Sequence, residues 1–239
     1  MLNGLYRQIL VATFPARNGR APSHGLSILH ALMCAMEPIS ERIVGALLSP
    51  SRSNDLFIHS AIETVKKLHA VLYTENGRVL FYHKSFSDFL FNQKRSQEFW
   101  CDQAAQHRLL TESSLLTMKT GLHFNMAHIP SSFLLDRDNP TLAIEVQRNI
   151  GETMKYCCQY WSRHLCLTTS THPGPLSHAL TEFLRYRALF WIEAINLLGI
   201  RGLCGPSLRQ ASDWAQTVSN SLTMLMSLSD IHKGKRAVG

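Results

Sequence analysis

The chain is poor in charge and has no long apolar run. Only 17% of its 239 residues are charged, and no uninterrupted apolar stretch approaches the roughly 18 residues that a bilayer crossing needs. A membrane span is not expected. There is no CxxC pair, and the six cysteines, Cys34, Cys101, Cys157, Cys158, Cys166 and Cys204, form no regular ladder. That pattern argues against a disulfide scaffold and for reduced, mostly buried thiols in a cytoplasmic protein. No acidic residue precedes Glu37, whereas Arg7, Arg17 and Arg20 do. This is the charge bias of an organellar transit peptide, although the same stretch reads better as an ordinary amphipathic helix.

Catalytic signatures are missing too. There is no GxxxxGK[ST] loop to cradle phosphates, no HExxH to set two imidazoles on one helical face, and no GxSxG elbow. Gly205-Pro206-Ser207 continues into Leu208-Arg209 and reads as a helix cap. Gly199, Gly202 and Gly205 read as an interhelical turn, since no strand precedes them to build an anion site. Neither enzymatic activity nor a cofactor is expected.

What the chain does have is core material. Hydrophobic residues make up 45% of it, and its aromatics run from Tyr6 to Trp214, which argues against disorder. The net charge of +7 is evenly spread, with 13 basic and 9 acidic residues in 1–120 against 11 and 8 in 121–239. The densest basic clusters are Lys94-Arg95 and Lys233, Lys235 and Arg236. Nucleic-acid binders concentrate such residues on one face, so nucleic acid is not the expected partner.

Helical periodicity opens the chain. Leu5, Tyr6, Ile9, Leu10 and Thr13 share a face that must end near Phe14-Pro15. A loop from Arg17 to Gly25 leads to a helix over 26–36. Ser40 caps a third helix carrying Ile43, Val44, Leu47 and Leu48, and residues 49–54 break the chain before a fourth with Ile58, Ile62, Val65 and Leu68. The period then changes. Ala70 to Thr74 and Arg78 to Tyr82 flank Glu75-Asn76-Gly77, a strong hairpin signal. Helices followed by a hairpin form a winged-helix pattern. Ser85 to Asp88 reads as a capping box for the next helix, with His83 left at the strand end.

Beyond a boundary near residues 93–96 the periodicity predicts long helices at 97–121, 140–166 capped by Asn139, 175–198 stopped by Gly199, and 207–228 capped by Ser207. The expected fold is mainly α: a helical and winged-helix module at 1–93 with one β-hairpin, an antiparallel helical bundle or short superhelix at 97–230, and a basic tail at 231–239.

Two binding readings arise from the residues themselves. Cys157 and His164 lie seven apart on one helical face near Cys158 and Cys166, but a zinc site draws its four ligands from usually two elements, so buried thiols and a core histidine explain them better. His107, His123 and His128 show no ligand spacing. A winged helix can also contact DNA. Here that face would offer Lys66, Lys67 and Arg78, with Arg52 and Lys84 nearby, for salt-sensitive phosphate contacts and no evident base reading.

The order of several strings carries more information than any motif. Ala70-Val71-Leu72, the hairpin, and Val79-Leu80-Phe81-Tyr82-His83-Lys84-Ser85-Phe86-Ser87-Asp88-Phe89-Leu90 resemble the winged-helix segment of fungal NACHT-type STAND ATPases. Leu5 to Leu10 and Met36 to Ser40 resemble that family's preceding helical regions. Tyr156 to Leu165 and Phe190 to Gly199 resemble the helical linker that basidiomycete members place before a WD-repeat propeller. The resemblance implies a signalling protein, with His83 matching a histidine that approaches the bound nucleotide's phosphates in the closed state. The P-loop domain, the acidic Walker B strand and the propeller have no counterpart in the sequence. It therefore looks like the middle of a larger receptor or a truncated paralogue, with a protein partner expected, such as a full-length STAND receptor.

Overall fold

The computed structural model describes residues 2–15, 23–49, 55–131, 133, 136–169 and 174–236. Most of the expected loop at 17–25 and the break at 50–54, including Arg52, lie outside the described residues.

The fold is mainly helical with one two-stranded antiparallel hairpin. Helix α1 (Leu2–Thr13) buries Tyr6 and Leu10. Helices α2 (Ser23–Cys34), α3 (Glu41–Leu48) and α4 (Asp55–Lys67) follow. Ser40 caps α3 as expected, its hydroxyl accepting from the Ile43 N–H at 3.3 Å. Gly45 is the crossing point of α3 and α4: a Cβ there would lie 2.7 Å from the Ile58 Cα. Strands β1 (Leu72–Glu75) and β2 (Arg78–Phe81) are joined by Asn76 and Gly77, at φ 50° and 72°. These left-handed conformations are those that an Asn-Gly hairpin turn requires. The Val79 N–H reaches the Ile39 carbonyl at 2.9 Å, so the segment between α2 and α3 is tied to the hairpin.

Helix α5 (Lys84–Leu90) buries Phe86, Phe89 and Leu90, and Tyr6 of α1 packs on Phe86 and Phe89 with ring centroids 5.1 and 5.7 Å away. Its cap differs from the expectation. His83, not Ser85, is the N-cap, because the His83 Nδ1 accepts the Ser85 N–H.

The long helices expected downstream are each interrupted. In place of one helix from 97, a short α6 (Gln93–Ser96) and a 3-10 turn (Gln97–Phe99) precede α7 (Gln103–Gly121). Gln97 has φ 50°, which no helix continues through, and the Asp102 carboxylate caps α7. The span 140–166 divides into α8 (Leu142–Asn149) and α9 (Glu152–Cys166), because Ile150 and Gly151 leave helical geometry. Asn139 does not cap a helix starting at Pro140; its carbonyl oxygen accepts from the Thr141 N–H in the turn before α8. The span 175–198 divides at Arg187 (φ −126°) into α10 (Gly174–Tyr186) and α11 (Ala188–Leu197). Gly199 does end α11, at φ 72°, with the Ile200 N–H closing on the Ile195 carbonyl at 2.9 Å. The last helix, α12 (Cys204–Arg236), starts ahead of Ser207, which is buried inside its first turns.

One hydrophobic cluster runs from Tyr6 to Val218. Helix α7 is its axis, packing most extensively on α9 and also on α2, α3 and α10. Trp161 of α9, Phe183 of α10 and Trp191 of α11 form an aromatic centre with centroids 5.0 to 6.1 Å apart. The Trp191 indole N–H donates to the Cys158 carbonyl at 2.9 Å. No described helix is long and apolar enough to cross a membrane.

Candidate functional site

His83 stands exposed at the corner where β2 passes into α5. Its Nδ1 accepts the Ser85 N–H at 3.0 Å and contacts the Ser85 hydroxyl at 2.7 Å. An Nδ1 that accepts carries no proton, so the network assigns the neutral ring as the Nε2–H tautomer. The Ser85 hydroxyl then donates to Nδ1 and receives the Tyr6 hydroxyl proton across 2.6 Å. The result is a fixed imidazole whose Nε2–H has no partner among the described residues and can donate to an incoming anion.

Two of the three cations of the DNA reading are engaged by other groups. Lys66 is exposed and paired with Glu63 at 3.2 Å, one turn back on α4. The same pairing holds the Glu63 carboxyl below its ordinary value. Lys67 is exposed at the end of α4. Arg78 is partly exposed and committed to neighbouring groups: it donates to the Pro38 carbonyl at 2.7 Å and lies 3.5 Å from Glu37 and 4.0 Å from Glu152 of α9.

Those contacts of Arg78 open onto a polar seam that no spacing in the sequence announces. The Tyr160 hydroxyl donates to the Glu37 carboxylate at 3.0 Å. One turn earlier on α9, the Tyr156 hydroxyl accepts the Met36 N–H at 3.2 Å and meets the His164 Nε2 at 2.8 Å. On the far side of that ring, the His164 Nδ1 lies 2.9 Å from the Nδ1 of His107 on α7. Because the Tyr156 oxygen already accepts from Met36, the arrangement that places every proton has the tyrosine donating to Nε2 and His164 donating from Nδ1 to His107. Both imidazoles are neutral. Burial, the neighbouring His107 and Arg163 lower His164 to about 3, and burial also lowers His107. Burial raises the Tyr156 phenol, and burial together with Glu37 raises that of Tyr160. The seam thus joins the segment between α2 and α3, and with it the hairpin, to α7 and α9.

The remaining sequence candidates are scattered. Cys157 and Cys158 are buried thiols, with burial pushing Cys157 up to about 12, and Cys166 is exposed with its Sγ 3.7 Å from the Gln210 carbonyl. His164 faces His107 and Tyr156. His123 bonds the Phe124 carbonyl, and His128 pairs with Glu145 at 3.2 Å. Among the described residues no group of three or more His, Cys, Asp or Glu side chains converges to hold a metal ion. No protein-family model, curated protein or solved structure matches the chain.

Proposed function

We propose that the chain is a non-catalytic regulatory and interaction module of the NACHT-type STAND kind, acting in the cytoplasm on a partner that carries the nucleotide. The observation that carries this reading is His83. Its Nδ1 is committed to capping α5, and the free Nε2–H is held outward at the wing corner, the position that the family resemblance assigns to a phosphate contact. The seam through Arg78, Glu37, Tyr160, Tyr156, His164 and His107 supports a mechanical role. It fastens the winged helix to the helices after it, so a displacement at the wing is carried into α7 and α9 as one body.

The test adds the purified chain to the separately purified P-loop domain of a NACHT-type ATPase loaded with fluorescent ADP. Slower release of the nucleotide is expected with the wild-type chain and not with His83→Asn. No change in release with either would overturn the reading. Duplex DNA binding through Lys66, Lys67 and Arg78 is the second reading. The exposed Lys67 favours it, and the commitment of Arg78 to the Pro38 carbonyl and to Glu37 weighs against it.

A further inference from the structure

Cys34 is the last residue of α2, and Cys101 lies on the connector just ahead of α7. Their buried Sγ atoms are 3.8 Å apart although 67 positions separate them in the chain. Both are free thiols. We propose that they form a latent disulfide site, closed by hydrogen peroxide or another two-electron oxidant, that pins the connector between the winged helix and the bundle onto α2.

The geometry is already close to that of the bond. The sulfurs, already in contact at 3.8 Å, need to approach to about 2.05 Å for the bond to form. The backbones on both sides are held. The Cys101 N–H donates to the Leu90 carbonyl at 3.0 Å. One turn before Cys34, the His30 Nε2 lies 3.1 Å from the Phe99 carbonyl, so α2 grips the connector at two consecutive turns. Among the described residues this is the one sulfur–sulfur contact within 4 Å: Cys157 and Cys158 are successive residues of one helix, and the Cys166 Sγ meets the Gln210 carbonyl.

The chemistry balances with peroxide alone. The sulfur of one cysteine attacks a peroxide oxygen, breaking the O–O bond and giving a sulfenic acid and one water. The second sulfur then displaces the sulfenic oxygen as another water, and the two thiol hydrogens leave in those waters. The close Cys34 thiol and burial both raise the Cys101 thiol, so little thiolate is present at rest. Oxidation is therefore slow, proceeds through local opening of the connector, and leaves a protected bond once formed.

The experiment treats the fully reduced chain with hydrogen peroxide under native conditions, alkylates the remaining thiols and maps the peptides by mass spectrometry. The expected first product has lost two hydrogens, contains a linked Cys34–Cys101 peptide, and melts about 5–10 °C higher, a gain that dithiothreitol reverses. Cys34→Ser and Cys101→Ser each abolish that product, and Cys166→Ser leaves it intact. A first-formed linkage between other cysteines overturns the proposal. So does oxidation confined to Cys166 with Cys34 and Cys101 still alkylated, or a Cys34–Cys101 linkage that forms only in denaturant.

Discussion

The Nδ1 atoms of His107 and His164 lie 2.9 Å apart in the interior, where α7 and α9 pack, although the residues are 57 positions apart in the chain. At that distance the two nitrogens share one proton between neutral rings. Protonating either puts a charge where burial disfavours it, and protonating both adds repulsion.

Stability should therefore fall as the pH falls. His164 titrates near 3 when folded and from its ordinary 6.5 when unfolded, so between those values the unfolded chain binds more protons. The stability from the neutral ring is complete above pH 6.5 and is lost progressively below it. At pH 5 the loss from His164 alone is about 2 kcal/mol. Urea titrations at pH 7 and pH 5 measure it, and His164→Gln should flatten the difference.

Removing the Tyr156 hydroxyl should cost more than removing the Arg78 charge. Tyr156→Phe leaves the buried His164 Nε2 and the Met36 N–H without their shared partner, a loss of about 1–3 kcal/mol. Arg78 is about two-fifths exposed, its ion pairs are long at 3.5 and 4.0 Å, and Arg78→Met should cost at most about 1 kcal/mol. Chemical denaturation of both variants at pH 7 tests the order.

Gly45→Ala tests the crossing of α3 and α4. In an open helix the substitution would gain nearly 1 kcal/mol from propensity. Here the new Cβ meets the Ile58 backbone at 2.7 Å, and backbone cannot rotate away. The steric term should win, giving a net loss of about 1–3 kcal/mol and a lower Tm.

Much of the architecture was legible because its signals are local. Ser40 caps α3, Asn76-Gly77 turns the hairpin and Gly199 ends α11, each through one or two residues whose chemistry is decisive by itself. The interruptions at Gln97, Gly151 and Arg187 were not legible, because apolar periodicity continues across them on either side. The cap of α5 lies two residues ahead of the expected Ser85, because an imidazole acceptor occupies a position where a hydroxyl or carboxylate is the usual expectation. His83 itself was visible in its string. The seam was not: Met36, Arg78, His107, Tyr156 and His164 meet only after α7, α9 and the hairpin have packed, and no spacing in the sequence records that meeting.

The cap made by His83 and its outward Nε2–H can be separated by substitution. Asn is a strong N-cap, so His83→Asn should keep the melting temperature near that of the wild type while removing the outward Nε2–H. His83→Ala removes the cap as well and should cost about 0.5–2 kcal/mol. Equal destabilisation by both would show that the cap is not what His83 contributes to α5.

Phosphate release from MgATP by the purified chain is the most direct measure of whether this module is non-catalytic. Release indistinguishable from the buffer blank, by the wild type and by His83→Ala alike, is the predicted result. Turnover that co-purifies with the chain and changes on substitution of His83 would contradict it.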